Sequence, residues 1–302
     1  MDSKNQKHKM PFNYLLNPGH SACAGCGLIL AMRHILQASG ADTIITNATG
    51  CSEVTTTKYP TTAFKVPWIH ANFENAAPVA SGIRAALDYK KNNKKTKVIA
   101  WGGDGATFDI GFSLISGMWE RQEDILYICL DNEAYMNTGI QASGATPLGA
   151  NTTTTPPGAK SQGNKLKKKN MIDIALAHDC VYVATAGVGD LPDLQNKVKK
   201  ALSIPGPKYL QVLTGCVPGW HIEPQDTVRV VDLAQKTGFF PVVEYVRGKL
   251  ESVKKTPRPR PKVEEYLKLQ GRFKHLFKPK KDEKTIAEIQ KIADDNVKKY
   301  NL

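Results

Sequence analysis

Residues 97–139 constrain the fold of this 302-residue chain more than any other stretch. An apolar run, Val98-Ile99-Ala100-Trp101, ends in Gly102-Gly103-Asp104-Gly105. An amphipathic run over residues 109–121 follows, then a second apolar run, Ile125-Leu126-Tyr127-Ile128-Cys129-Leu130, which ends in Asp131-Asn132-Glu133-Ala134-Tyr135. Short apolar runs bounded by turn residues read as buried strands, and a helical apolar period reads as the crossover between them. The segment is therefore one βαβ unit with parallel strands. Their C-terminal ends share one edge of the sheet, where ligands of open α/β sheets bind. Asp104 and Asn132, 28 positions apart in the chain, are expected to meet there.

A carboxylate, an amide oxygen and an adjacent backbone carbonyl are hard oxygen ligands, the kind Mg²⁺ takes when it also holds phosphates. The glycines let the backbone approach a diphosphate, and the following helix N-terminus offers N–H donors and a favourable dipole. A Gly-Asp-Gly turn by itself is equally a structural connection. A second strand ending in Asp131-Asn132 at this distance favours the metal and diphosphate reading, and the pair looks like the magnesium and thiamine diphosphate motif.

Length and patterning bound the rest. A chain of this size buries one substantial core with room for an appendage. No apolar run approaches the ~20 residues a membrane helix needs. Residues 1–12 are polar and lack the apolar centre of an export signal, so a cytoplasmic location is expected. The net charge is +13, with much of the excess beyond Arg247 and in residues 165–169. Such runs are commonly a solvated face; no nucleic-acid motif accompanies the lysines, and docking to an acidic partner or another subunit fits better.

Six cysteines in a chain expected in the cytoplasm read as ligands or buried thiols rather than disulfides. Cys23-Ala24-Gly25-Cys26 lies in a Gly-rich turn before a helix over residues 28–38, and alone it allows a zinc knuckle, a thioredoxin-like dithiol or an iron-sulfur cluster. There is no second Cys-x-x-Cys for a zinc ribbon, and residues 13–20 make a poor strand for a thioredoxin motif. Four thiolates would satisfy a cluster. Cys51 and Cys216 are the candidates, because each follows a glycine at the end of an apolar run. Cys129 and Cys180 sit in apolar segments and read as small core residues.

The whole chain then reads as α/β, a doubly wound, mostly parallel sheet with a polar C-terminal helical extension. A body over residues 1–240 and an extension over residues 241–302, carrying subunit contacts, are expected. Strands are expected at residues 43–48, 180–184, 209–213 and 242–246, a short extended piece at 67–70, and helices at 76–89, 171–179 and 191–203. Small residues along the helix at 76–89 allow close approach of a cofactor or simply close packing. Residues 55–62 read as an exposed Thr-rich loop and 90–97 as a basic turn. The stretch 138–170 is too long to be an idle loop; it wraps over the site edge or a neighbouring chain, with disorder as the alternative. Helices at 263–277 and 283–300 close the chain.

Taken together, these features resemble the beta subunit of pyruvate:ferredoxin oxidoreductase, among the thiamine-dependent 2-oxoacid:ferredoxin oxidoreductases. The likeness is carried by Gly19-His20 with Cys23-Ala24-Gly25-Cys26, Thr49-Gly50-Cys51-Ser52-Glu53, Phe73-Glu74-Asn75-Ala76-Ala77, Gly102-Gly103-Asp104-Gly105, the run from Asp131-Asn132 to Thr138-Gly139, and Cys216-Val217. It implies that Cys23, Cys26, Cys51 and Cys216 hold one 4Fe-4S cluster and that Asp104, Asn132 and the Ala134 carbonyl hold Mg²⁺. It implies that Thr49, Gly50, Cys51, Ser52, Asn75, Gly103, Asp104, Gly105, Ala106, Asn132, Met136 and Asn137 bind thiamine diphosphate, with Asn137 also catalytic. The implied reaction is coenzyme A-dependent oxidative decarboxylation of a 2-oxoacid, electrons leaving singly through the cluster to ferredoxin.

Thiamine activation also needs a carboxylate against the aminopyrimidine. Neither Glu53 nor Glu74 matches that role, so an alpha chain, with gamma or delta chains, is expected to complete the enzyme. Tyr135-Met136-Asn137-Thr138-Gly139 looks like the pyruvate branch, whereas Ile140 and Pro218-Gly219-Trp220-His221 depart from it. Branched-chain oxoacids, 2-oxoglutarate and oxalate stay open as substrates. So do a non-redox thiamine diphosphate decarboxylase or synthase subunit, and a zinc-stabilised binding protein.

Overall fold

A computed structural model describes residues 14–58, 60–91 and 96–302. Residues 1–12, read above for an export signal, and residues 92–95 of the basic turn lie outside the described residues. Ten strands alternate with helices: α1 (Gly27–Ser39), β1 (Thr43–Ala48), α2 (Cys51–Val54), β2 (Thr57–Lys58), β3 (Thr61–Thr62), β4 (Trp68–Ala71), α3 (Ala76–Tyr89) and β5 (Lys97–Gly103) come first. Then follow a π-helical turn (Gly105–Ile110), α4 (Phe112–Glu120), β6 (Leu126–Asp131), α5 (Met171–Ala177), β7 (Tyr182–Gly187), α6 (Leu191–Ser203) and β8 (Lys208–Leu213). The last are α7 (Val217–Trp220), α8 (Thr227–Lys236), β9 (Val243–Val246), β10 (Lys249–Val253), α9 (Val263–Lys268) and α10 (Glu283–Tyr300).

Eight strands form one sheet in the order β10-β9-β7-β8-β6-β5-β1-β4. Those from β7 to β4 run parallel, and β9 and β10 add an antiparallel edge. Strands β6, β7 and β8 are buried along their whole length, as expected of parallel strands covered on both faces. Side chains alternate between two cores. Ile99, Trp101, Ile128 and Leu210 enter one with α1, α6, α8 and α9; Val98, Ala100, Tyr127 and Tyr209 enter the other with α3 and α4.

Several elements differ from the sequence reading for local reasons. The crossover helix does not start at residue 109: a π-helical turn begins directly at Gly105, and Gly111 separates it from α4. A Cβ at Gly111 would lie 2.4 Å from the Ala106 carbonyl, so only glycine lets the chain turn there. The strand placed at 180–184 sits at Tyr182–Gly187. The Thr-rich loop holds the small hairpin β2-β3, and the extended piece before His70 joins the sheet as β4, parallel to β1. The helix read at 263–277 is α9 followed by a 3-10 turn, Gly271–Leu276.

The small residues of α3 serve packing, since Ala76, Ala77 and Ala80 are buried against the sheet. Residues 138–170 carry no helix or named strand but are pinned, with Ala145, Thr146, Ala150 and Asn164 buried. Residues past 240 supply β9 and β10 and bury Val263, Tyr266, Phe273 and Ile289 in the same core as the sheet. No helix among the described residues is long and apolar enough to cross a membrane.

Candidate metal and cofactor site

Four adjacent parallel strands, β1, β5, β6 and β8, end on one edge. Past their ends come Thr49-Gly50-Cys51, Asp104-Gly105, Asn132-Glu133 and Thr214-Gly215-Cys216. Thr49, Gly50, Cys51, Ser52, Gly103, Asp104, Gly105, Ala106, Asn132, Ala134, Met136 and Asn137 all line one cleft there. Asn75 does not line it; its N–H bonds the Asn72 carbonyl at the start of α3, and Phe73 of the same motif forms the wall instead. Leu28, Tyr135 and Thr138 line the cleft without having been given a role. Gly105 makes room for Tyr135: a Cβ on that glycine would come within 2.2 Å of the tyrosine ring. The Tyr135 hydroxyl donates to Asp109 Oδ2 at 3.1 Å.

Asp104 is 1% exposed. Burial, and then the nearby Asp131 carboxylate, push its pKa above the usual carboxylate range. Ser143 Oγ donates to Asp104 Oδ2, and the Asn132 N–H reaches Oδ1 at 3.4 Å. One end of the Asn132 amide lies 2.9 Å from Asp104 Oδ1 and 2.8 Å from the Ala134 carbonyl oxygen. With the amide oxygen at that end, three acceptors face one another with no proton between them, an arrangement a cation relieves; with the nitrogen there, two hydrogen bonds form. The separations are those of ordinary N–H···O hydrogen bonds and equally allow three oxygen donors around one cation. Among the described residues, no group of three or more His, Cys, Asp or Glu side chains is placed to hold a metal ion, the cysteines included. The Asp104 set draws instead on an amide and a carbonyl.

The four cysteines come from three remote segments and act on one another. Burial raises the Cys51 thiol pKa to about 12, with Cys216, Cys26, Asp104 and Cys23 adding to it in that order. Burial raises Cys216 to about 12 as well, the Gly219 N–H partly offsetting it, with Cys26 and Cys23 nearby. Cys26 is raised by burial and receives the N–H groups of Ile29 and Leu28. Backbone donors aimed at sulfur are among the means by which a protein tunes cluster thiolates, and the donor set is compatible with iron ligation. Gly27 makes the assembly possible: its N–H donates to the Gly215 carbonyl at 3.1 Å, and a Cβ there would sit 2.7 Å from Gly215 N. Cys129 and Cys180 are buried and unpaired by disulfide.

Behind the turn from Asp131 to Ala134 lies an ion cluster that sequence reasoning missed. Lys168 Nζ contacts Asp131 Oδ2 at 2.5 Å and Glu133 Oε1 at 2.9 Å. Arg272 contacts Glu133 Oε2 at 2.6 Å, both residues being 2% exposed. Burial alone would raise Glu133, but Lys168 and Arg272 outweigh it and hold the carboxyl below its usual range. Part of the 165–169 lysine run, read as solvated or partner-facing, is thus committed internally, since Lys168 pairs here and Lys169 bonds the Phe108 carbonyl. No local pattern marks which lysine of a run turns inward. A cavity of about 190 Å³ adjoins Lys168, walled by Met171, Phe240 and Tyr300.

Residues 48–212 match the family described as thiamine pyrophosphate enzyme, C-terminal TPP binding domain. The chain is also 51% identical over 291 residues to pyruvate synthase subunit PorB of Methanocaldococcus jannaschii, covering 94% of this chain and 96% of that one. The chain belongs to the PorB family of thiamine pyrophosphate enzymes. Pyruvate synthase PorB of Methanosarcina barkeri is 47% identical, with 97% and 98% covered. The family extends to ketoisovalerate oxidoreductase subunit VorB of Pyrococcus abyssi, 44% identical, with 89% of this chain and 88% of that one covered. A solved 2-oxoglutarate:ferredoxin oxidoreductase from Magnetococcus marinus superposes with a TM-score of 0.57 over 69% of this chain and 70% of that chain, at 23% identity. That is a likeness of fold.

Proposed function

We propose that this PorB-family chain is the beta subunit of a cytoplasmic 2-oxoacid:ferredoxin oxidoreductase whose substrate is pyruvate. In this reading Cys23, Cys26, Cys51 and Cys216 ligate one 4Fe-4S cluster, while Asp104, Asn132 and the Ala134 carbonyl hold Mg²⁺. Thr49 to Ser52, Gly103, Gly105, Ala106 and Met136 line thiamine diphosphate, and Asn137, exposed on the cleft rim, faces the 2-oxoacid. When bound, the thiazolium supplies the carbon that accepts the oxoacid and releases carbon dioxide. The protein's own part is to orient: the oxygen ligands direct the diphosphate, and the turn at Gly50-Cys51 touches both the cofactor cleft and the cysteine cluster.

The supporting observation is that adjacency. Cys51 lines the same cleft as Asp104, Asn132 and Ala134, and Cys216, Cys26 and Cys23 from two other segments lie within electrostatic reach of it. A non-redox thiamine enzyme has no use for the sulfurs, and a zinc protein none for the oxygens. The VorB relative keeps a branched-chain 2-oxoacid as the second substrate class. Partners would be alpha, gamma and delta subunits, ferredoxin and coenzyme A, with residues 241–302 contributing subunit contacts alongside the 1–240 body.

The test is an anaerobic assay of the co-purified complex. Ferredoxin reduction is measured with pyruvate, 2-oxoisovalerate, 2-oxoglutarate and oxalate, each with and without coenzyme A. Fastest turnover is expected with pyruvate, from a brown protein; a colourless complex, or one that decarboxylates without reducing ferredoxin, would sink the proposal.

A further inference from the structure

We infer that Arg272 is a positioning residue that sets the metal-binding turn and ties it to the cysteine loop. The role presupposes the Mg²⁺ site of the proposed function. Glu133 stands between two of the proposed ligands, Asn132 and Ala134, and its φ is 68°. An L-residue without a special side chain adopts that left-handed conformation only when something holds it there. If Glu133 relaxed, the Asn132 amide and the Ala134 carbonyl, which flank it, would no longer point to one place.

The hold is visible atom by atom. The Glu133 carboxylate is gripped by Lys168 at 2.9 Å and Arg272 at 2.6 Å. Its N–H donates to Asp131 Oδ1 at 3.1 Å, and its carbonyl accepts from Thr146 Oγ1 at 2.8 Å. Arg272 also acts on the other side of the turn: its guanidinium lies 4.0 Å over the Trp220 ring, and the Trp220 Nε1–H donates to the Asn132 carbonyl at 2.8 Å. Trp220 ends α7, which starts immediately after Cys216. Arg272 Nε is itself fixed by Gln270 Oε1 at 2.9 Å. One side chain from beyond the parallel sheet therefore holds the Glu133 carboxylate directly and, through Trp220, reaches the peptide group that precedes Glu133 and the segment carrying Cys216.

Charge does not explain this arrangement. Asp131 and Glu133 are balanced by Lys168 and Arg272, so the cluster brings no net charge to the metal turn, and buried ion pairs of this kind are often replaceable by apolar groups without loss of stability. Geometry is what a planar, stacked, forked guanidinium adds and a lysine does not.

The experiment uses the complex co-expressed with its partner subunits and stripped of thiamine diphosphate and Mg²⁺. Thiamine diphosphate binding is followed by calorimetry at a series of Mg²⁺ concentrations. Outer partners of metal ligands typically govern about 10–100-fold in metal affinity, so Arg272→Gln is expected to raise the half-saturating Mg²⁺ concentration by roughly that factor. Arg272→Lys should restore it only in part, and iron content should stay unchanged. Trp220→Phe keeps the stacked ring but removes the bond to Asn132; a rise of about threefold or more is expected, and this variant decides the matter if Arg272→Gln does not assemble. Half-saturation within twofold of wild type in the variants that assemble would overturn the role. A wild-type complex that binds thiamine diphosphate without Mg²⁺ dependence would instead remove the metal site on which the role depends.

Discussion

Cys216 follows β8, stands two strands away from the turn that holds Asp104, and receives the Gly219 N–H at its sulfur. Cys180 precedes β7, is 2% exposed and belongs to the apolar core on the α3 and α4 side of the sheet. Replacing each by serine separates the two kinds of cysteine. Cys216→Ser is expected to lose most of the iron and sulfide measured per chain in anaerobically purified complex, whereas Cys180→Ser should keep both and lose only some thermal stability. Equal iron content in the two variants would exclude Cys216 as a ligand. At this scale the sequence singled out Cys51 and Cys216 because cysteine beside glycine has few uses, and the fold brings Cys216 within electrostatic reach of Cys51. The sequence was silent where the type is common: Lys168 and Lys169 of the 165–169 run and Arg272 of the extension turn inward, and only their contacts reveal it.

The antiparallel edge shows how elements are held once the parallel strands are in place. Glu244 of β9 accepts from Tyr182 of β7 at 2.8 Å and from Ser252 of β10 at 2.9 Å. It also pairs with Lys200 of α6 at 3.1 Å. Burial raises its pKa, but these partners outweigh burial and leave it below the usual range. A carboxylate depressed in the folded state contributes stability above its unfolded pKa, and that contribution is lost as pH falls through the folded value. Glu244→Gln is therefore expected to cost about 1 kcal/mol at neutral pH, the scale of a typical buried hydrogen bond. Its Tm deficit relative to wild type should shrink as pH drops below about 4; a deficit constant between pH 7 and pH 3 would contradict the ionised role. The strand β9 was legible from its apolar alternation. The strand β10, exposed along nearly all its length, had no such pattern to read.

Across the whole molecule, the cleft encloses only about 30 Å³ of water-accessible space, and Asn137 and Thr138 stand exposed on its rim. Asp104 is the one carboxylate among the described residues that line it, and in the proposed function the metal claims it. The purified single chain is therefore expected to show no pyruvate-dependent ferredoxin reduction, and addition of its alpha subunit should restore turnover. Activity from the single chain would mean that the activating carboxylate is already present. The chain's local patterns were enough for the doubly wound sheet and for the meeting of Asp104 with Asn132. Apolar runs, turn glycines and scarce ligand types act through near neighbours along the chain, and parallel pairing then aligns their ends. Tertiary structure alone decided that Asn75 lies outside the cleft, that the 138–170 stretch closes back on Asp104 and Asp131, and that Arg272 reaches Glu133. Those contacts join segments whose residue types are common on any surface, so only the packing of the finished core selects which of them turn inward.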